Sequence, residues 1–438
     1  MSGLFLYFYF MELKELHKRF LECDSVSTDT RKISKDCLFF ALKGDNFDGN
    51  TFTEQALKKG AKYVIIDDKA YAQGNKTILV DDVLLCLQKL ATFHRDYLGV
   101  PIISLTGSNG KTTTKELIHA VLSKKYRTTS TIGNLNNHIG VPLTLLSMTK
   151  TTEIGVVEMG ANHQKEIEFL CEIAKPDYGY ITNFGKAHLE GFGGVEGVIK
   201  GKSELYNFLI EHDKQIFVNT EDAIQVEKTK NANTINFGSK ERYNQLTILF
   251  LGAEPFVKLS YQKEIITSNL IGAYNFNNIA VAITIGHYFK VSNSDIKEAI
   301  ESYIPINNRS QIITKGTTNI ILDAYNANPS SMKVALEHFS KQDHPNKIAI
   351  LGDMFELGTE AKQEHQSIVN LVCELNIRKT IFIGENFYGT ESQNQNTSFF
   401  NSFQAFKEVF IPETLHDALV IIKGSRGMAL ERIVELMD

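Results

Sequence analysis

The 438-residue sequence has no surplus of positive charge, no paired cysteines and no long apolar run. Its formal net charge is −5, which excludes the basic footprint that a nucleic-acid partner demands. Its cysteines, at 23, 37, 86, 171 and 373, form no C-x-x-C pair. That spacing excludes a disulfide framework and a zinc site, and it suits a reducing cytoplasm. Each cysteine reads as a small buried apolar residue. The apolar run over residues 4–11 is too short to span a bilayer and has no basic residue before it. No signal peptide and no membrane insertion are therefore expected. Met11 opens a better helical sequence, so translation is expected to start at either Met1 or Met11. Short repeats, low-complexity tracts and coiled-coil heptads are missing too, which excludes fibrous and solenoid architectures.

What is present is alternation. The length accommodates two or three domains. Up to residue 98, short strands (37–42, 63–66, 77–80) precede a helix over 84–97. After Pro101, apolar strands at 102–106, 153–159, 178–182 and 215–219 alternate with helical segments at 115–125, 163–174 and 196–211. A strand-rich excursion covers 241–268. A second alternating block starts near 307–311 and runs to the end. Strands alternating with helices predict parallel sheets covered by helices, here in two separate α/β units.

The strongest chemical signal is IISLTGSNGKTTTKE, residues 102–116. An apolar strand enters a glycine-bearing turn that ends in Gly110, Lys111 and Thr112 and opens a helix. This is the layout of a phosphate-binding loop, although the common longer spacing would need glycine at the position of Leu105. Backbone N–H groups converge on an anion there, and the helix N-terminus adds positive potential. Lys111 is positioned for terminal phosphates, and the Thr112 hydroxyl for Mg²⁺.

Glu158 ends the next apolar strand. In a parallel sheet that end faces the ligand crevice, and a carboxylate there suits a hard cation. His188 follows the strand after it, but imidazole is a poor default ligand for Mg²⁺. Lys202 reads from spacing alone as a solvent-facing helix lysine.

TGSNGKTTTKE resembles the ATP loop of the Mur ligase family. GNLNNHIGVPLTLL (133–146), EMGANHQKEIE (158–168), NFGKAHLEGFGG (183–194) and KSELY (202–206) follow in that family's order. DAYNANPSSM (323–332), LGDMFELG (351–358) and VIIKGSRGM (420–428) resemble the branch whose amine substrate is D-alanyl-D-alanine. The aspartate-asparagine-proline-arginine signature of the diaminopimelate-adding branch is missing.

This resemblance implies an α/β chain of three domains. A small α/β domain over 1–98 takes the UDP end of the substrate. A central phosphate-loop ATPase domain with a mainly parallel sheet covers 99–306. A Rossmann-like ligase domain covers 307–438. The implied reaction is ATP-dependent addition of D-alanyl-D-alanine to UDP-N-acetylmuramoyl-tripeptide in the cytoplasm, by a monomer, as a step of peptidoglycan precursor synthesis.

The implied residue roles are equally specific. Asp29, Arg31 and Lys43 meet the UDP end. Gly107, Ser108, Asn109, Gly110, Lys111, Thr112 and Thr113 hold ATP phosphates, with Asn275 at the adenine. Arg309 meets phosphate and Asp323 the ribose. Thr112 and Glu158 hold one Mg²⁺. His188 and Lys202 serve a second, with Lys202 carbamylated. Asn136 and Asn137 line the peptide side, and Tyr325, Asn326 and Asn328 shape the dipeptide and nucleotide cleft, with Lys423, Ser425 and Arg426 near the dipeptide. At His138 the family pattern calls for an acid.

Three rival readings are distinguishable. One is another amide ligase of the superfamily, including folylpolyglutamate synthetases, and DAYNANP and KGSRGM argue against it. The second is a GTPase switch, which would need an N-K-x-D motif that the chain does not have. The third is a decayed ligase used only for binding. Intact Lys111, Thr112, Glu158, His188 and Lys202 argue against decay.

Overall fold

The computed structural model describes residues 13–306 and 308–437. The apolar run at 4–11 and the alternative start at Met11 lie outside them. Among the described residues no helix is long and apolar enough to cross a membrane.

The first sheet has four parallel strands in chain order, Ser25–Ser27, Cys37–Phe40, Tyr63–Ile66 and Thr77–Leu79. Successive side chains point to opposite faces of a strand. Leu38, Phe40 and Ile65 therefore pack on Leu87 and Leu90 of the helix Val83–Leu98. Cys37, Phe39, Val64 and Ile66 pack on Ala56 and Ala61 behind. The helix starts where the Asp82 side chain accepts from the Leu85 N–H, and it ends at Gly99 in the left-handed region, φ 62°.

The central sheet has nine strands. From one edge the order is Glu264–Ile271, Phe256–Tyr261, Leu246–Ala253, Asn233–Gly238, Gln215–Asn219, Tyr178–Ile181, Ile102–Thr106, Ile154–Glu158, Thr128–Ser130. The first three form an antiparallel meander, which is the predicted strand-rich excursion. The rest are parallel. Ile103 and Leu105 meet Leu117, Ile118, Ile279 and Ile283 on one face. Ile102, Val157 and Ile181 meet Leu170, Val198, Leu205 and Leu209 on the other. Helices thus cover both faces, and the strand next to the glycine loop is buried throughout.

One local expectation shifts. The helix after the loop begins at Lys111 rather than Lys115 and runs to Leu122, because Gly110 at φ 79° turns the chain straight into it. A helix, Gly140–Leu146, also forms within GNLNNHIGVPLTLL. The third sheet has six strands, ordered Gln311–Lys315, Thr318–Asp323, Leu419–Lys423, Lys347–Gly352, Lys379–Ile383, Thr397–Phe400. Only its Gln311–Lys315 edge is antiparallel.

Candidate active site

Three adjacent strands of the central sheet end side by side. Leu105 is in register with Glu158, and Thr106 with Ile181. The glycine loop, the Glu158 carboxylate and the 182–188 segment therefore share one edge, the expected crevice of a parallel sheet. That edge opens into a cavity of about 1160 Å³ bounded by the central and third domains.

The loop is held from behind. The Ser108 N–H donates to the Asn183 carbonyl (3.0 Å), and the Asn109 N–H donates to Asn183 Oδ1 (3.1 Å). Asn183 Nδ2 and Thr182 Oγ1 both donate to the Asn109 carbonyl. Gly107 lies at φ 141°, and a Cβ on it would stand 2.0 Å from Thr182 Oγ1. Only glycine fits there. Lys111 Nζ folds back to donate to the Gly107 (2.7 Å) and Ser108 (3.2 Å) carbonyls. Burial lowers its pKa, the Glu158 charge opposes that fall, and the Arg309 charge adds to it.

Thr112 and Glu158 meet directly, with the Thr112 hydroxyl donating to Glu158 Oε2 at 2.8 Å. The other carboxylate oxygen accepts from Asn136 Nδ2, also at 2.8 Å. The Glu158 N–H donates to Thr131 Oγ1, and the Thr131 carbonyl accepts from the buried Lys115. Among the described residues no three His, Cys, Asp or Glu side chains cluster as a metal site. The Thr112–Glu158 oxygen pair nevertheless fits Mg²⁺, which keeps water and takes phosphate oxygens instead of a full protein cage.

His188 lines the same cavity. Its Nδ1 is paired with Glu356 of the third domain, and this bond lowers the Glu356 pKa. Lys202 is fully buried and not in solvent. Its Nζ donates to the Ala161 carbonyl at 3.1 Å and lies 4.8 Å from the Phe192 ring centre. Burial holds its pKa well below the usual lysine range, and the Lys111 charge pushes the same way. As an ammonium it does not suit a cation site.

The third domain supplies the opposite wall. Arg309 lies 3.6 Å over the Tyr325 ring. Its Nε is buried and has no hydrogen-bond partner among the described residues, which leaves a donor for an anion. Asp323 accepts from Lys423 Nζ (2.5 Å) and from the Ser310 N–H (3.1 Å). The Asn326 carbonyl also accepts from Lys423. Ser425 is buried, and its hydroxyl accepts from the Phe355 N–H. Arg426 pairs with Glu431. Asn328 caps the helix Pro329–Ser340, and its Nδ2 donates to Asn109 Oδ1 at 2.7 Å. Asn275 lines the cavity and stands at the N-cap of the helix Phe276–Tyr288 without a side-chain cap bond: its Nδ2 donates to the Ile271 carbonyl and its Oδ1 accepts from Asn278 Nδ2. Asn136, Asn137 and His138 line the cavity as well.

Asp29, Arg31 and Lys43 do not line this cavity. Arg31 pairs with Asp29 at 2.8 Å and holds its carboxyl down at about 2, while Lys43 pairs with Asp67. Sequence reasoning missed Thr182 and Asn183, which brace the loop, and Glu356. Their signal was position: all three follow strand C-termini.

Comparison with known proteins agrees with this layout. The profile of the Mur ligase middle domain matches residues 105–286, that of the Mur ligase glutamate ligase domain 308–426, and that of the Mur ligase family catalytic domain 22–95. A UDP-N-acetylmuramoyl-tripeptide–D-alanyl-D-alanine ligase of Bacillus subtilis is 35% identical over 424 residues, covering 94% of this chain and 92% of the relative. A solved MurF structure from Acinetobacter baumannii is 28% identical with a TM-score of 0.83, covering 97% of this chain and 98% of its own. MurF ligase from Thermotoga maritima, solved in complex with ADP, is 26% identical with a TM-score of 0.80, covering 95% and 97%. With its glycine loop, its Thr112–Glu158 pair and a third domain closing the same cavity, the chain belongs to the Mur ligase family.

Proposed function

We propose that this chain joins D-alanyl-D-alanine to UDP-N-acetylmuramoyl-tripeptide at the expense of ATP, as a cytoplasmic monomer. The observation that carries the reading is the phosphate loop with Thr112 on Glu158, at the floor of a cavity walled by two domains. Likeness to the Bacillus subtilis ligase over nearly the whole chain supports the choice of substrates.

A carboxylate resists attack by an amine because its oxygen is a poor leaving group. Transfer of the ATP γ-phosphoryl to the tripeptide carboxylate gives an acyl phosphate. ADP is left by that transfer; the dipeptide amine then attacks the carbonyl carbon and gives up a proton, and the tetrahedral intermediate expels phosphate to leave the amide.

In this reading the domains divide at about residues 98 and 306. Gly107 to Thr113 cradle phosphates through backbone N–H groups, and Lys111 and Arg309 neutralise the transferring charge. Thr112 and Glu158 would hold Mg²⁺, which when bound would offset repulsion between carboxylate and phosphate. His188 and Lys202 would serve a second Mg²⁺, with the neutral Lys202 amine taking up CO₂ and releasing a proton, so that a carbamate oxygen replaces a buried cation. Asn275 meets adenine, and Asp323 reaches ribose by trading one of its present partners. Asn136 and Asn137 hold the peptide arm. Tyr325, Asn326 and Asn328 border the dipeptide, and Asp29, Arg31 and Lys43 take the UDP end.

The test is phosphate release and product mass with lysine- and diaminopimelate-containing UDP-tripeptides, each offered D-alanyl-D-alanine, D-glutamate or glutamate. A pentapeptide product formed only with D-alanyl-D-alanine supports the reading. Addition of a single amino acid instead would overturn it.

A further inference from the structure

The 185–190 segment of the central domain is gripped from the third domain at several points. The Lys186 N–H donates to Ser330 Oγ at 2.9 Å, and Lys186 Nζ pairs with Glu364 at 2.6 Å. The Glu190 N–H donates to the Glu356 carbonyl at 3.4 Å. At the centre of the grip Glu356 Oε2 meets His188 Nδ1.

Glu356 is presented by a stiff loop. The Asp353 carboxylate accepts from the N–H groups of Asn386 (2.9 Å) and Phe387 (3.0 Å). The Met354 N–H donates to His365 Nε2, and the Phe355 N–H to Ser425 Oγ. Glu356 itself sits at φ 62° and His188 at φ 54°, in the left-handed region that non-glycine residues adopt rarely. Such conformations persist where surrounding structure determines them. Here they point two side chains at each other across a domain boundary.

We propose that Glu356 is a positioning residue for His188, supplied by the third domain. The inference rests on the site proposed above. A carboxylate is an acceptor only, so the His188 nitrogen it holds, Nδ1, carries the proton. In the neutral ring Nε2 then keeps its lone pair, on a side chain that lines the cavity. A carboxylate–imidazole pair of this kind fixes both tautomer and ring rotation. Because the carboxylate belongs to another domain, the ring is set only while the third domain is docked.

The experiment compares Glu356→Ala, Glu356→Gln, His188→Ala and the double alanine variant. Glu356→Ala is expected to lower kcat about 10–100-fold, with KM values for ATP and UDP-tripeptide within about twofold. Glutamine still accepts a hydrogen bond through Oε1, so Glu356→Gln should recover most of that loss. The double variant should match His188→Ala, because the effect of Glu356 runs through the ring. Independently of turnover, the ¹⁵N shifts of His188, assigned by its loss in His188→Ala, should report the Nδ1–H tautomer in wild type and a tautomer mixture in Glu356→Ala. An unchanged tautomer signature, or Glu356→Ala with wild-type kcat beside an inactive His188→Ala, would overturn the proposal. Full activity of His188→Ala would instead overturn the role given to His188 in the site.

Discussion

Glu158→Gln should leave the fold standing and stop catalysis. The side chain is 1% exposed and accepts two hydrogen bonds, one from Thr112 Oγ1 and one from Asn136 Nδ2. Glutamine can keep both contacts. Its Oε1 accepts from Asn136, and its Nε2 donates to the Thr112 hydroxyl, which turns from donor to acceptor. Only the extra strength of bonds to a charged group disappears, about 1–1.5 kcal/mol for each of the two, so stability should fall by no more than about 3 kcal/mol. Alanine leaves two buried groups without partners at about 1–3 kcal/mol each, so Glu158→Ala should lose about 2–6 kcal/mol. Both variants lose the hard carboxylate beside the phosphate loop. Both also remove the charge that opposes the fall in the Lys111 pKa. Phosphate release should drop about 10²–10³-fold, the usual effect of deleting one preorganised electrostatic contact. Urea unfolding and a coupled phosphate assay measure the two effects separately. Near-wild-type turnover by Glu158→Gln, or equal destabilisation by glutamine and alanine, would refute the reasoning.

Gly107→Ala should be worse than an ordinary surface change, because the new Cβ meets Thr182 Oγ1 at 2.0 Å in a backbone region closed to side chains. A loss of about 2–6 kcal/mol from strain and overpacking together is expected in urea unfolding, along with loss of ADP binding by calorimetry. Asn328→Ala removes a helix cap and the contact to Asn109, so stability should fall by about 1–2 kcal/mol; if the apparent affinity for the dipeptide is unchanged, Asn328 leaves the substrate site. Acid should destabilise the protein through a buried histidine pair, in which His17 Nε2 meets His94 Nδ1 at 2.9 Å and His94 Nε2 meets the Met148 carbonyl. Burial lowers the His17 pKa from 6.5 to about 4. The unfolded chain therefore binds the extra proton first, and up to about 3 kcal/mol of stability is lost as pH falls through that window; above it the pair contributes no slope, and His17→Leu should flatten the profile.

Local signals carried most of the fold. The glycine loop was legible because strand, turn and helix are contiguous, and Glu158 because a strand end in a parallel sheet has a known direction. Lys202 was misread as a solvent lysine. The inward stripe of the helix Val195–Glu211 is Val198, Leu205 and Leu209, and Lys202 falls on it at helical spacing. The period contained the answer, but the residue type concealed it. Asn109 with Asn328 and His188 with Glu356 were beyond local reading. These partners are 219 and 168 residues apart and meet only because two sheets face one cavity.

Asn109 gives the glycine loop and the third domain a common handle. Its backbone belongs to the phosphate loop, braced on Asn183, while its side chain holds Asn328. Any ligand that tightens the loop changes the stability of that bond, and any ligand of the third domain that moves Asn328 acts back on the loop. Thermodynamic reciprocity makes the two effects equal: the factor by which nucleotide alters affinity for the amine substrate is the factor by which the amine alters affinity for nucleotide.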